Sequence, residues 1–147
     1  MMKSKYTDRF WYFRNVADED DDDFTGDSLL IPVSSITGIA MRAGTQKLDI
    51  WFEGARNKNT MDSAGAEDTP DGHNGYVTLT ITAGKGKEVT RALVEIINRG
   101  PHHDGVTVIA DDSTTDFDGT VRNPVYANGF ITGCFHIENS NNGQLVG

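Results

Sequence analysis

Cysteine is almost absent from this sequence, which contains only Cys134 among its 147 residues. An internal disulfide is therefore impossible, and a zinc site built on several cysteines is excluded. Long apolar runs are also missing, since none approaches the roughly 20 residues that a membrane-spanning helix needs. Lys3 and Lys5 are not followed by the apolar segment of a secretory signal. The sequence thus predicts neither a membrane span nor a secretory signal, and it fits synthesis in a reducing cytoplasm.

Basic residues are outnumbered, and the imbalance is local. The chain has 22 acidic and 13 basic residues, which gives a net charge of −9. Seven of the acids fall within residues 18–27, so the other 15 nearly balance the 13 bases. There is no stripe of Lys and Arg of the kind that contacts nucleic-acid phosphates. Nucleic-acid binding is therefore not expected.

Alternation of apolar and polar residues predicts that most of the chain forms β-strands. The expected strands are Arg9–Val16, Leu29–Val33, Ile39–Arg42, Lys47–Gly54, Tyr76–Gly84, Gly105–Asp112 and Phe130–Ile137. Pro32 has no N–H, so its strand is expected to lie at a sheet edge or to end there. Gly38 indicates a turn or a bulge.

One amphipathic helix is predicted in the segment "KEVTRALVEIINRG". Its single apolar stripe consists of Val89, Ala92, Leu93, Ile96 and Ile97. Gly100 suits the position after the last helical residue, and Pro101 prevents continuation. A single helix among strands predicts one α+β domain over residues 1–147, with a mostly antiparallel sheet and the helix packed on one face. A long irregular loop at residues 54–75 and a Gly/Asn-rich tail after about residue 138 complete it.

The stretch "ADEDDDDFTGD" contains six consecutive acids, Asp18 to Asp23. Such a run cannot be buried unpaired, because each desolvated carboxylate would cost several kcal/mol. It could be a solvated loop kept extended by repulsion, a docking element for a basic partner, or a site for a divalent cation. Successive carboxylates point in different directions, which disfavours a single tight ion. The sequence favours the solvated loop over the docking element without deciding between them.

Two other segments have features of metal sites. "TDFDGT" places Asp116, Asp118 and Gly119 at calcium-loop spacing, but the first acid and the closing Glu of such a loop are missing, so a turn is predicted. In "HHDG", the adjacent side chains of His102 and His103 would point apart, as expected of a loop that follows a helix.

The remaining candidates are weaker. His73 and His136 are isolated, and alternation predicts that His136 faces outward. "AGKGKEV" lacks the Walker spacing of a phosphate loop, so Gly84 and Gly86 are interpreted as a tight strand-to-helix turn. No nucleophile–base arrangement is evident. We therefore predict no enzyme, no cofactor, and no catalytic, cofactor-binding or metal-binding residues.

The order of "FWYFRNVADEDDDD", "IPVSSITGI" and "KEVTRALVEIINRGPHHDGVTVIADD" resembles small virion proteins of tailed bacteriophages that infect marine bacteria, such as cyanophages and pelagiphages. The similarity covers residues 10–39 and 76–112 and carries no catalytic motif. It implies a structural component of the virion, made in the host cytoplasm, such as a head-surface decoration or cement-like protein or another assembly protein. The implied partners are copies of itself and other virion proteins, above all the major capsid protein. The alternative from the residues is a calcium- or glycan-binding module that uses the aspartates or an exposed Trp51.

Overall fold

A computed structural model describes residues 9–24, 26–42, 44–53, 75–99 and 105–138. Within these residues, eight strands and one α-helix follow one another along the chain. The elements are β1 (Phe10–Arg14), β2 (Ser28–Pro32), β3 (Ile36–Met41), β4 (Lys47–Phe52), β5 (Gly75–Ile81), α1 (Gly86–Arg99), β6 (Val106–Asp111), β7 (Val125–Tyr126) and β8 (Ile131–Glu138). Short 3-10 turns cover Glu19–Asp21 and Val33–Ser35.

The α+β class is confirmed, but the strands form two sheets rather than one. The first sheet has the order β2–β1–β6–β7, and the second has the order β3–β4–β5–β8. All neighbours are antiparallel except β1 and β6, which run parallel. A single sheet was the wrong prediction because alternation identifies strands and their buried faces, whereas it does not identify the neighbours of a strand.

Strand β1 is the apolar centre of the first sheet. Trp11 and Phe13 are buried, while the alternate residues Phe10, Tyr12 and Arg14 are half-buried. Strand β2 lies at the edge of the sheet and ends at Pro32, where a missing N–H costs no ladder hydrogen bond. The register of β3 against β4 shifts between Ile36 and Gly38, so of the turn or bulge predicted at Gly38 the structure has the bulge.

Strands β4 and β5 supply most of the core from the second sheet. The apolar residues that alternate along both strands are all buried, as their period of two indicates, namely Leu48, Ile50, Phe52, Val77, Leu79 and Ile81. They belong to the same hydrophobic cluster as Trp11 and Phe13 of β1. Both sheets therefore share one core, which is the arrangement that lets a chain of this size bury its apolar surface.

Helix α1 closes this core with the predicted stripe, because Val89 and Leu93 are fully buried. The positive φ of Gly84, 80°, makes the turn into the helix. At the first helical residue, a Cβ on Gly86 would overlap the sulfur of Met41, so glycine permits close contact between the helix and β3. Near the other end of the helix, Arg9 donates a hydrogen bond to the Ile97 carbonyl at 2.9 Å.

Some predictions fall on residues outside the described part of the chain. These are the loop at 54–75 except for Gly75, the helix end at Gly100 and Pro101, and the tail after residue 138. Strand β7 was not predicted, because a strand of two residues is too short to show alternation.

Candidate interaction surfaces

Three strand ends meet at one end of the first sheet. Arg14, the last residue of β1, pairs with Ser28 at the start of β2 and with Asp111 at the end of β6. The connections that follow β1 and β6 therefore leave the sheet side by side. We call the described residues within 14–27 and 111–122 the acidic end. An isolated bridge between Asp18 and Thr115 joins its two segments.

Arg14 lies at the centre of the acidic end and is surrounded by carboxylates. Its Nη2 lies 3.1 Å from Asp111 Oδ2, and its Nη1 lies 3.5 Å from Glu19 Oε2 and 3.7 Å from Asp22 Oδ2. The side chains are 14% exposed for Arg14 and 5% exposed for Asp111, so solvent screens this pair weakly. Two acids of the run thus find a basic partner within their own chain.

A second arginine closes the network from the other segment. Arg122 Nη1 binds Glu19 Oε2 at 2.5 Å, and Arg122 Nη2 lies 3.7 Å from Asp111 Oδ2. Glu19 and Asp111 therefore each contact both arginines. This shared geometry fixes the acidic run against the 112–122 segment, because moving one segment would break charge contacts on the other.

The acidic run is ordered by local hydrogen bonds as well. Asp18 caps the Glu19–Asp21 turn by accepting from the N–H of Asp20 at 3.0 Å. Asp27 accepts from the N–H groups of Asp23 and Phe24 at 3.1 and 2.8 Å. The predicted extended loop is therefore wrong in conformation, since arginine contacts and side-chain caps outweigh the mutual repulsion of the carboxylates.

The neighbouring segment "TDFDGT" is a turn, as predicted. Gly119 has a φ of 89° and donates to the Asp116 carbonyl, and Asp116 Oδ1 accepts from the N–H of Thr120 at 2.9 Å. The side-chain interaction with Asp118, followed by hydrogen bonds from the backbone N–H groups of Thr120 and Asp118, holds the pKa of Asp116 below its usual value. Its carboxylate therefore acts as a structural acceptor within the turn.

The acidic end carries the whole net charge of the chain. It contains 11 of the 22 acids and two of the 13 bases, and the remaining 11 acids and 11 bases of the sequence cancel. Large apolar side chains stand exposed among these carboxylates. Phe24 follows Asp23, Phe117 lies between Asp116 and Asp118, and Val121 precedes Arg122. The acidic end thus combines concentrated negative charge with apolar contact area on a fixed backbone.

A different surface lies on the outer side of the second sheet. Trp51 of β4 and Tyr76 of β5 are direct cross-strand neighbours with ring centroids 4.6 Å apart. His136 of β8 continues the row, at 5.9 Å from Tyr76. Phe135 is also exposed, beside a register shift in β8. We call this surface, with the charged residues around it, the aromatic face.

The buried carboxylate of Asp49 forms polar contacts next to the rings of the aromatic face. Asp49 accepts a 2.5 Å hydrogen bond from Thr78, and Arg42 Nε lies 3.2 Å from Asp49 Oδ2. The Arg42 guanidinium also lies 5.4 Å from the centre of the Tyr76 ring. Hydrogen bonds with Tyr76 and then with Asp49 raise the pKa of Arg42, so its charge is permanent.

The other charges of the aromatic face are also partnered. His136 Nε2 lies 3.1 Å from Glu138 Oε1, and Lys47 Nζ lies 4.5 Å from the centre of the Phe135 ring. Two basic residues, Arg42 and Lys47, therefore face two acidic ones, Asp49 and Glu138. The aromatic face is electrically balanced, in contrast to the acidic end.

Asp112, a residue of the acidic end, connects the two sheets. Tyr126 of β7 donates to Asp112 Oδ1 at 2.6 Å, and the N–H of Cys134 on β8 donates to both carboxylate oxygens at 3.1 Å. Burial and then the hydrogen bond to Asp112 raise the pKa of Tyr126. Burial, followed by the charge of Asp112, raises the pKa of Cys134, so this thiol stays protonated and poorly nucleophilic.

The structure describes one of the four histidines in the sequence. His136 faces outward, as alternation predicted, whereas His73, His102 and His103 lie outside the described residues. In the part of the chain that the structure describes, no group of three or more His, Cys, Asp or Glu side chains could hold a metal ion. None of its described helices is long and apolar enough to cross a membrane.

Sequence reasoning missed the residues that organise both surfaces. Arg14 and Arg122 stand 108 positions apart in the sequence, and nothing in their neighbourhoods relates one to the other. Tyr76 was placed on a strand, but its contact with Trp51 depends on the β4–β5 register. The one available signal was the outward position of Trp51 within "KLDIWFEG", which follows from the alternation of that strand.

No protein-family model, curated protein or solved structure matches this chain.

Proposed function

We propose that the chain is a non-enzymatic structural component of a tailed-phage virion, on the head surface as a decoration or cement-like protein or in another assembly role. It would be made in the host cytoplasm and reside in the virion, bound to copies of itself and to other virion proteins, chiefly the major capsid protein. The resemblance of residues 10–39 and 76–112 suggests this class, and the acidic end supports it as an attachment surface.

The observation that carries the proposal is the fixed geometry of the acidic end. A loop that only keeps its charges in water needs no internal anchors, yet Glu19 and Asp22 bind Arg14 while Asp20, Asp21 and Asp23 remain exposed. Pre-ordering lowers the entropy that binding must remove. This pre-ordering supports the docking element as a proposal, whereas the sequence favoured the solvated loop.

The exposed apolar residues point to the same use. Phe24 and Phe117 emerge between carboxylates, so a basic partner surface with apolar pockets would match both properties. Aromatic anchors provide affinity, whereas the surrounding charges direct the approach of the partner.

Several carboxylates and the thiol, which are side chains capable of catalysis elsewhere, are engaged here in structural contacts. Asp111 and Glu19 are held in contacts with Arg14 and Arg122, and Asp112 bridges Tyr126 to the backbone of Cys134. The raised pKa of Cys134 keeps its sulfur as a thiol. These roles support the non-enzymatic part of the proposal.

Co-sedimentation with capsids of the source phage across a salt series tests the proposal. A variant with Asp20, Asp21 and Asp23 changed to Asn removes exposed charge and leaves the arginine network intact. We expect it to lose attachment at low ionic strength, and we expect attachment of the unchanged protein to weaken as salt screens exposed charges. The matched control changes three exposed acids elsewhere, Glu53, Glu88 and Glu95, to Gln.

Two outcomes separate the parts of the proposal. Equal attachment of the Asp variant and of the control would exclude the acidic end as the docking element. A protein that stays monomeric by light scattering and never sediments with particles would remove the virion assignment itself, since assembly proteins act through association.

A further inference from the structure

Strand β3 forms one edge of the second sheet, with β4 as its neighbour on the inner side. The N–H of Arg42 donates to the Lys47 carbonyl, which fixes the residues of β3 that bond to β4. Because bonded and non-bonded pairs alternate in an antiparallel ladder, Ala40 bonds to β4, whereas the backbone groups of Ile39 and Met41 point away from it. Among the residues that the structure describes, none forms a hydrogen bond with these outward groups.

The other sheet edges in the described part of the chain are protected against a further strand. Strand β2 ends at Pro32, which has no N–H, and β7 has only two residues. On β8, the N–H of Cys134 is occupied by the carboxylate of Asp112. Strand β3 contains neither proline nor a charged residue, and its bulge lies before Ile39. It therefore lacks the usual protection of an edge strand over its second half.

The outward groups of β3 have no charged side chain directed towards them. Arg42 follows the strand, but its guanidinium lies against Asp49 and over the ring of Tyr76, towards the centre of the sheet. The exposed side chain of Ala40 is a single methyl group. Residues 28–41 contain no charged residue at all. A second copy can therefore approach this edge without direct repulsion, although each chain has a net charge of −9.

The edge is complementary to itself in an antiparallel arrangement. With a two-fold axis at Ala40, Ile39 of each copy lies opposite Met41 of the other, and their outward groups bond to each other. The two Ala40 residues then meet as a close, non-bonded pair, in which a methyl group fits. Met41 is 40% exposed, and Ile39 of the second copy would cover it. Backbone and side chains thus match in the same register.

We propose that two copies of the chain associate through β3, by antiparallel pairing about Ala40 that joins the two four-stranded sheets into one sheet of eight strands. Copies of the chain are among the partners in the proposed function, but this association requires neither the acidic end nor a capsid. An edge of about five residues buries less than the roughly 800 Å² per partner of a standard interface, so the dimer should dissociate at micromolar concentrations.

Hydrogen exchange of the backbone amides tests the register. In the monomer, the amides of Ile39 and Met41 should exchange rapidly, whereas the amide of Ala40 is protected by its bond to β4. Raising the protein concentration from micromolar to millimolar should slow exchange at Ile39 and Met41 and leave Ala40 protected throughout. Rapid exchange of both outward amides at millimolar concentration overturns the proposal.

A charged residue on the two-fold axis should separate the copies. Ala40→Lys places like charges opposite each other and should weaken association roughly tenfold or more by sedimentation equilibrium. Ala40 is exposed, so the thermal unfolding of this variant should match that of the unchanged protein. The control Val94→Lys adds the same charge at an exposed position of α1 and should not weaken association. Association that survives Ala40→Lys overturns the proposal.

Cross-linking identifies the residue on the axis. Cα atoms of a non-bonded pair lie about 4.5 Å apart, which a disulfide can span, so mild oxidation of Ala40→Cys should give a covalent dimer. Val94→Cys should remain monomeric, and the buried Cys134 is protonated and does not compete. Equal cross-linking of the two variants overturns the proposal. These measurements use purified protein, so their failure leaves attachment through the acidic end to its own test.

Discussion

At the acidic end, carboxylates outnumber arginines and share them, whereas on the aromatic face each charge has its own partner. Glu19 and Asp111 both contact Arg14 and Arg122, so no pair there can be removed without disturbing another. Arg42 and Asp49 form a pair supported by one further hydrogen bond, from Thr78. The comparison teaches that a fold tolerates concentrated like charge when a few partly buried arginines are shared among the acids that surround them.

The sharpest test of this difference removes the central cation of each surface. Arg14→Met leaves Asp111 buried with only the more distant Arg122 near it, and we expect a loss of about 3 kcal/mol in the free energy of unfolding. Arg42→Met should cost clearly less, because the Arg42 side chain is 41% exposed and water can screen Asp49. Urea denaturation of both variants at neutral pH measures the two losses. Equal losses in the free energy of unfolding would contradict the expectation that the shared arginine network is more sensitive to the loss of one cation than the single Arg42–Asp49 pair is.

A change in the common core should lower stability without altering the contrast between the surfaces. Leu93 is fully buried in α1, and Leu93→Ala should cost about 2–5 kcal/mol through the lost contacts and the cavity. Attachment to capsids, measured where the variant is folded, should remain unchanged. A loss below roughly 0.5 kcal/mol would mean that the helix presents a different face to the sheets.

The smallest expected effect concerns acid titration of the turn at Asp116. The folded-state pKa of this carboxyl lies below its ordinary value of 3.8, because the Asp118 side chain and the N–H groups of Thr120 and Asp118 favour the ionised form. Its stabilising contribution is therefore complete above pH 3.8 and is lost as pH falls through the lower folded value. Amide NMR shifts of Gly119 and Thr120 should report this step, and Asp116→Asn should abolish it. A midpoint above 3.8 would contradict the assignment.

The sequence alone predicted the parts of the fold that depend on local periodicity. The buried faces of β4 and β5, the stripe of α1 and the edge position of Pro32 were correct, and of the turn or bulge predicted at Gly38 the structure has the bulge. Each of these follows from the period of two or 3.6 residues, or from the geometry of one residue. The division into two sheets did not follow, because it depends on which strands become neighbours.

The candidate surfaces were predictable only in outline. The acidic run is evident in the sequence. Its fixed conformation, however, depends on contacts with Arg14 and Arg122, which only the tertiary structure brings next to it. Trp51 was visible as an outward aromatic, but Tyr76 and His136 join it only through the pairing of β4, β5 and β8. Long-range strand register is the information that a single sequence lacks.

The parallel contact between β1 and β6 has a consequence for the order in which the chain folds. Arg14 and Asp111, which meet at the end of these strands, are separated by 97 positions. The β3–β4 hairpin needs only the short turn between Met41 and Lys47, so it can close soon after it is synthesised. Strand β1, with Trp11 and Phe13, must wait for β6 to leave the ribosome before it gains its central neighbour. During that interval its aromatic side chains are exposed. Slow synthesis or chaperone binding would therefore change the yield of folded protein through this strand.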